Sequence, residues 1–270
     1  MKKNIYRGMA VLCLLLALFS GYKLYGIFSE YRKGAQEYES LQRFVQKESP
    51  SGGEAADTLK PGEENSSKGK ADEKNAQMHT EEAAFQVDFS SLRKINEDVV
   101  GWILMEESAL NYPIVQAEDN SYYLHRLFDK RGNSCGSIFL DKNNAGNFSD
   151  RHSIIYGHHM KDGSMFACLS DFKNEEYYKT HKSAYLLTEE KKYKIEFFAG
   201  YVSDVYTDAW RMDFASDEEL LEWTKALIEK SDFKPETLPQ LGDRIITLST
   251  CSYEFADARY VLSGILKEAK

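Results

Sequence analysis

The sequence predicts a mainly β fold with a few helices packed around it, either a β-barrel or a β-sandwich, for the part of the chain after Phe85. Short runs rich in β-branched and aromatic residues recur along this part, whereas segments with helical periodicity are few. The stretch from Phe85 to Lys270 is long enough to bury one hydrophobic core. We therefore expect one folded domain at 85–270, behind an N-terminal region of different character.

The N-terminal region begins with an apolar segment that runs from Ile5 to Phe28. This is about the length that a helix needs to cross a bilayer, and Lys23 can extend toward the interface. Because Lys2, Lys3 and Arg7 precede or open the segment, the positive-inside rule places the N-terminus in the cytoplasm. No small-x-small cleavage site follows, which favours an uncleaved signal-anchor over a cleaved signal peptide. We expect a single-pass membrane segment at 1–28 and an extracellular domain.

A stalk and a flexible tether are predicted between the membrane segment and the domain, at 29–84. Helical spacing continues through Val45, but from Gln46 to Ala84 there is no aromatic residue, and Glu, Lys, Ser, Gly, Asn and Ala dominate. Such a composition cannot bury enough surface to offset its ordering entropy.

The formal net charge of −9 argues against nucleic acid as a partner, because a basic footprint is absent.

Within the domain, the hydrophobic patterns predict the following elements in order. A short helix at Phe89–Asn96 precedes strands at Trp102–Leu104, Tyr112–Val115, Gly136–Asp141 and Ser153–Tyr156. Two short helices (SMFACLSDF and NEEYYKTH) precede a hairpin in SAYLLTEEKKYKIEFFAGYVSDVY. Ser216 and Glu219 form a capping-box pattern that opens a helix through Lys230. The last strands are Ile245–Thr250 and Arg259–Leu266.

Cys251 and Arg259 are the first candidate functional residues. If the last two strands pair antiparallel, the end of one lies beside the start of the other, and the two side chains share one mouth of the sheet. A guanidinium lowers the pKa of a neighbouring thiol and can stabilise an oxyanion. A lone cysteine at a strand end is, however, more often a buried small side chain.

The domain has three cysteines, so at least one is unpaired within the chain; whether Cys135 and Cys168 form a disulfide stays open.

A thiol nucleophile usually works with an imidazole, and the stretch SIIYGHHMKDGSMF places two histidines where a β-run ends. Strand ends and loops often carry catalytic groups. A zinc site is the alternative for adjacent histidines, but no second ligand lies at short metal-ligand spacing. We therefore expect no metal and no other cofactor.

Taken together, these motifs resemble the sortases. Thr247-Leu-Ser-Thr-Cys251 followed by an arginine, with Tyr156-Gly-His158 upstream, is similar to the sortase active-site signature. Ordered blocks (VDFSSLRKINEDVVGWI, NYPIVQAEDNSYYL, GSIFLD, IIYGHHMKDGSMF and ITLSTC) resemble class B over 85–270. The resemblance implies an eight-stranded sortase-type β-barrel with N-terminal helices and a long helix between strands six and seven. It also implies a catalytic triad of His158, Cys251 and Arg259.

The substrate contacts implied by the same resemblance are Asn120, Leu124, Thr207 and Ser249. The implied activity is that of a cysteine transpeptidase. Cys251 would cleave a C-terminal sorting motif of secreted proteins after Thr, hold the Thr as a thioester and pass it to an amine, either a peptidoglycan precursor or a pilin lysine. Two alternatives stay open, namely a thiol hydrolase on the same scaffold and a non-catalytic adhesion module of the surface. The sorting motif and the acceptor are not fixed by the sequence.

Overall fold

The computed structural model describes residues 2–47, 85–251 and 257–269 of the chain. The described helices are α1 (Lys2–Leu41), α2 (Phe89–Ile95), α3 (Glu175–Thr180) and α4 (Asp217–Lys230). The strands are β1 (Val45–Lys47), β2 (Phe85–Val87), β3 (Val99–Leu104), β4 (Asn111–Val115), β5 (Ile138–Leu140), β6 (His152–Tyr156), β7 (Ser183–Leu187), β8 (Lys192–Asp204), β9 (Arg244–Cys251) and β10 (Ala258–Glu268). Short 3₁₀ turns cover Gln42–Phe44, Tyr122–His125, Ala167–Lys173 and Asp208–Trp210.

Strands β3 to β10 close into one barrel in the order β10-β8-β7-β3-β4-β5-β6-β9. The eight-stranded barrel implied by the resemblance is therefore confirmed, and the alternative of a β-sandwich is wrong. Closure leaves no edge strand in the barrel to be covered. Most neighbours are antiparallel, but β4 pairs with β5 and β6 pairs with β9 in parallel. The predicted hairpins β7–β8 and β9–β10 are both present.

The core fills the barrel and continues under the surrounding helices and turns. Trp102, Ile103 and Tyr260 are fully buried in the main core, and Phe172 of the third 3₁₀ turn is buried with them. That turn lies where the sequence predicts a short helix in SMFACLSDF. The buried aromatic and β-branched residues explain why the runs after Phe85 form a stable sheet.

Helix α4 connects β8 to β9, which are the sixth and seventh strands of the barrel, as the resemblance implied. The Ser216 hydroxyl accepts a hydrogen bond from the Glu219 N–H at 3.3 Å, as an N-cap does. In a capping box, the Glu219 carboxylate would also accept a hydrogen bond from the Ser216 N–H. Here it accepts the Ala215 N–H, at 2.6 Å, instead. Leu220, Trp223 and Leu227 form the buried face of α4.

The N-terminal region continues into the folded body. By length and composition α1 can cross a membrane, and the large apolar side chains that the structure describes between Tyr6 and Phe28 are exposed. Farther along the same helix, Tyr38 and Leu41 are only 4% and 2% exposed and belong to the main core. β1 then pairs antiparallel with β2. The predicted tether lies mostly at 48–84, outside the described residues, and the domain boundary at residue 85 stays a prediction.

Candidate active site

The hairpin formed by β9 and β10 places Cys251 and Arg259 side by side at one end of the barrel. The two residues are Cα partners in the antiparallel register, at the end of β9 and near the start of β10. Arg259 is half-buried, and its Nη1 donates to the Ala258 carbonyl at 3.0 Å. The backbone therefore gives the thiol-bearing residue a permanent cation as its cross-strand neighbour.

His158 reaches the same end of the barrel through the parallel pair β6–β9. Tyr156 of β6 and Ser249 of β9 are Cα partners, and the Gly157 N–H donates to the Ser249 carbonyl at 3.1 Å. Two residues beyond these partners, in the same direction along each strand, lie His158 and Cys251. Because β6 and β9 run parallel, the residues that follow the end of β6 and the residue that ends β9 lie at the same end of the barrel.

Gly157 makes the exit from β6 possible. A Cβ at this position would come within 2.4 Å of Ile138 Cδ1 and 2.8 Å of the Phe166 ring. Both neighbours are fully buried, so neither has room to move. The glycine thus lets the strand end turn tightly over the core, and His158 emerges directly after it.

The imidazole of His158 is held through one of its two nitrogens. Nε2 lies 2.7 Å from the carbonyl oxygen of Leu124. Since a carbonyl only accepts hydrogen bonds, Nε2 carries a proton, and Nδ1 is the nitrogen that can gain or lose one. The ring of His125 stacks near that of His158, with centroids 6.0 Å apart and planes at 22°. The arrangement provides an oriented, half-exposed imidazole suited to proton transfer.

Leu124 and Asn120, two of the predicted substrate contacts, flank this histidine. Leu124 supplies the carbonyl just described, and its half-buried side chain packs on the core. The Asn120 amide donates to Asp141 Oδ2 at 2.8 Å, and its oxygen accepts the Lys142 N–H at 2.8 Å. The buried carboxylate of Asp141 also accepts the Tyr156 hydroxyl at 3.0 Å. Asp141 therefore orients both Asn120 and the tyrosine two residues before His158.

The other two predicted contacts are Ser249, two residues before Cys251 on β9, and Thr207, which follows β8. Ser249 is 3% exposed, and its hydroxyl accepts the indole N–H of Trp210 at 3.3 Å. Thr207 lies 2.7 Å, oxygen to oxygen, from Ser203, which is the β8 partner of Arg259. The structure thus pairs Cys251 with Arg259 across the β9–β10 hairpin and joins His158 to Leu124 by a hydrogen bond. Asn120 is hydrogen-bonded to Asp141, and Thr207 lies beside Ser203.

A cleft of about 1280 Å³ lies between the β8–α4 connection and the loop that precedes β6, beside the start of that strand. Its lining includes Trp210, Arg211, Phe214 and His152. His152 links the β8–α4 connection to β9. Its Nδ1 donates to the Arg211 carbonyl at 2.6 Å, and its Nε2 accepts from the Thr247 hydroxyl at 2.8 Å. Complete burial lowers the pKa of His152 to about 4, so this histidine is neutral at pH 7 and structural.

Trp210, Asp141 and His152 were not predicted from the sequence as parts of the site. Their partners are distant in the chain, and the one available signal was weak: an aspartate at a strand end, and aromatic residues in the connection after β8. Nothing local distinguishes them from ordinary loop or core residues.

The two other domain cysteines are free thiols in this structure, which resolves the open question of their pairing. Both are buried, and burial raises the pKa of Cys135 and of Cys168 to about 11. They are therefore protonated and poor nucleophiles at neutral pH. Among the described residues, no group of three His, Cys, Asp or Glu side chains could hold a metal ion.

Comparison with known proteins identifies relatives along most of the chain. Sortase B of Staphylococcus aureus is 28% identical over 247 residues, which cover 92% of this chain and 89% of that protein. Sortase B of Listeria monocytogenes is 35% identical over 179 residues, covering 65% and 72% of the two chains. A crystal structure of sortase B from B. anthracis in complex with AAEK1 has a TM-score of 0.70 and 32% identity, covering 90% of this chain and all of that one.

A Staphylococcus aureus sortase B–substrate complex also matches, with a TM-score of 0.64 and 32% identity over 67% of this chain and 85% of that one. No family model matches the sequence.

Proposed function

The chain belongs to the sortase B family of cysteine transpeptidases, and on that premise we propose that it cleaves a sorting motif with Cys251 and transfers the product to an amine. The observation that carries the proposal is the strand register. Arg259 is the cross-strand partner of Cys251, and His158 follows by two residues Tyr156, the β6 partner of Ser249. These are the three groups that an acyl transfer through a thioester requires: a nucleophile, a proton carrier and an oxyanion stabiliser.

In the first half-reaction, the Cys251 thiolate attacks the carbonyl carbon of the Thr in the sorting motif. The carbonyl oxygen becomes an oxyanion, to which the Arg259 guanidinium donates hydrogen bonds. The imidazolium of His158 then gives the proton on Nδ1 to the leaving amine as the C–N bond breaks. The products are a thioester between Cys251 and the Thr, and a released C-terminal segment.

In the second half-reaction, the neutral His158 takes a proton from the incoming amine as its nitrogen attacks the thioester carbonyl. The C–S bond breaks, the new amide leaves, and Cys251 returns as a thiolate beside a protonated His158. The fixed hydrogen bond from Nε2 to the Leu124 carbonyl keeps Nδ1 as the exchanging nitrogen in both halves. Desolvation by bound peptide strengthens the interactions of Arg259 with the oxyanion.

We assign the substrates by class. The donors are secreted proteins with a C-terminal sorting signal, in line with the substrate complex of the Staphylococcus aureus relative. The acceptor is an amine, such as a peptidoglycan precursor or a pilin lysine. Asn120 and Leu124 on one side, and Thr207 and Ser249 on the other, are proposed to contact the sorting motif. The apolar part of α1 is proposed as a single-pass anchor with the catalytic domain outside the cell.

Product analysis tests this function. The full chain in detergent is incubated with NPxTN-type and PxTG-type peptides, with and without an added amine such as triglycine. A transpeptidase yields the amide of the N-terminal fragment with the amine, and Cys251→Ala yields none. Hydrolysed fragment alone, at every amine concentration, would favour the thiol hydrolase. No cleavage of any peptide would favour the non-catalytic adhesion module.

A further inference from the structure

The membrane-distal part of α1 packs tightly against the barrel on the side of His158. Tyr38 is buried in this interface, and its ring contacts Tyr112 edge-on with centroids 5.2 Å apart. Gly34, one turn earlier, faces Cys135 so closely that a Cβ on the glycine would lie 2.7 Å from Sγ. Such close approach of a helix backbone requires glycine. The helix is therefore fitted to one position on the barrel.

Polar contacts join the same part of α1 to loop 131–137. The Asn133 amide donates to the Glu30 carbonyl at 3.0 Å, and the Ser134 hydroxyl donates to the Glu30 carboxylate at 2.9 Å. The Tyr38 hydroxyl donates to the Gly136 carbonyl at 2.5 Å. Of these contacts the last is buried, so it is the one that water does not weaken. The loop is thus held by α1 at Asn133, Ser134 and Gly136.

Loop 131–137 in turn lies against the imidazole of His158. Gly136 has a positive φ of 60°, and a Cβ there would come 3.0 Å from His158 Cδ2 and 2.6 Å from the Leu124 carbonyl oxygen. That oxygen is the acceptor of the His158 Nε2–H. The Ser137 N–H donates to the Tyr123 carbonyl at 2.9 Å, which ties the loop to the same turn. Backbone of the loop and backbone of the turn therefore both lie against the Nε2–Cδ2 edge of the ring.

We propose that Tyr38 is a positioning residue of the active site, which holds His158 through Gly136 and so makes the anchor helix part of the catalytic machinery. This inference rests on the proposed role of His158. A catalytic group must be held within about 0.5 Å of its productive place, and a half-exposed imidazole depends on its supports for that. Because α1 is one continuous helix from Lys2 to Leu41, the support and the proposed membrane anchor are a single element.

The test compares two tyrosines that differ in what they support. Tyr38→Phe keeps the ring and removes the hydrogen bonds of the hydroxyl to the Gly136 carbonyl and to the Ser137 hydroxyl. The control, Tyr178→Phe, removes the hydroxyl of another buried tyrosine, which accepts the Glu236 N–H at 2.9 Å beyond the site. In the full chain, we expect kcat of transpeptidation to fall about tenfold in Tyr38→Phe, with KM for the peptide within about twofold. Tyr178→Phe should keep the wild-type kcat.

A second pair of variants tests the fit of the helix. Gly34→Ala pushes α1 off Cys135 and should lower kcat, whereas Gly34→Ala with Cys135→Ala removes the clashing sulfur and should restore it. Wild-type kcat in Tyr38→Phe, or equal losses in Tyr38→Phe and Tyr178→Phe, would overturn the inference. A wild-type chain that transfers no peptide at all would instead overturn the proposed function, so the two failures are distinguishable.

Discussion

At the scale of single residues, the site depends on backbone groups that hold side chains in place. His158 is oriented by the Leu124 carbonyl, and its ring rests against Gly136. Arg259 is placed by its strand pairing with Cys251. Substitutions that alter these supports should therefore change catalysis more than they change folding.

Gly136→Ala is the sharpest such change. A Cβ at Gly136 would collide with the Leu124 and Tyr123 carbonyls and press on His158, so we expect kcat to fall by at least about tenfold. The control is Gly242→Ala, since Gly242 also has a positive φ, of 86°, but nothing within 4 Å of the added Cβ. It should lose about 1 kcal/mol of stability and keep its kcat. Equal kcat in both variants would contradict the account.

Arg259→Lys tests whether catalysis needs the paired N–H donors of the guanidinium or only its positive charge. A lysine keeps the cation but cannot present two parallel donors, so kcat should fall roughly 100-fold in steady-state peptide assays. Arg244→Lys is the matched control at the far end of β9, where Arg244 donates to the Phe148 carbonyl. It should leave kcat unchanged. Full activity of Arg259→Lys would show that charge alone suffices.

At the scale of elements, the β8–α4 connection is fastened to the sheet by His152. This histidine links Arg211 of the connection to Thr247 of β9, and its ring packs on Trp223 of α4. The connection also carries Thr207 and Trp210 toward the site. One buried side chain thus couples the wall of the cleft to the strand that ends at Cys251.

The pH dependence of stability follows from that burial. The folded pKa of His152 is about 4, below the 6.5 of the unfolded chain, so between these values the unfolded state binds the extra proton. Stability is full above pH 6.5 and falls as the pH drops toward 4, by on the order of 3 kcal/mol. Urea unfolding of wild type and His152→Gln should differ in this pH slope. Identical slopes would contradict the assignment.

At the scale of the whole molecule, the folded body includes residues on both sides of 48–84. Tyr38, Leu41 and strand β1 come from before this segment and pack with residues that come after it. Cutting the chain at the predicted domain boundary therefore removes part of the core and the contact between Tyr38 and Gly136. Cutting it at the end of the apolar stretch keeps both.

Two soluble fragments measure this contribution. Fragment 29–270 retains Tyr38 and Leu41, whereas fragment 85–270 loses both buried side chains and should be less stable by at least about 3 kcal/mol. Urea unfolding at pH 7 gives the difference. Equal stabilities of the two fragments would show that the helix contributes nothing to the fold.

Local patterns predicted the elements of the domain well. The predicted strands, the two hairpins and the start of α4 at Ser216 agree with the structure, because each depends on periodicity or capping over a few residues. The parallel pairs β4–β5 and β6–β9 were not predicted, since they join segments far apart in the chain. For the same reason the packing of α1 on the barrel and the role of Asp141 under Asn120 had no local signal.

Cys251, Arg259 and the histidines at 158–159 were first proposed from their places at strand ends, and the resemblance then assigned the roles and added the substrate contacts. The structure confirms that Arg259 pairs with Cys251 across β9 and β10. What sequence could supply was the residue type and the chain order around Cys251 and His158. The sequence could not show that the Leu124 carbonyl orients His158 or that Gly136 lies against its ring. Contacts made by backbone atoms do not depend on a recognisable side-chain type.

Intact-mass spectrometry of the full chain, mixed with a panel of sorting peptides, tests the central claim most directly. We predict a covalent adduct with the mass of the peptide fragment ending at Thr, mapped by digestion to Cys251 and absent in Cys251→Ala. The account is contradicted if no peptide forms an adduct while Cys251 still reacts with a small methanethiosulfonate reagent. In that case the thiol would be accessible, and the proposed acyl-enzyme would not exist.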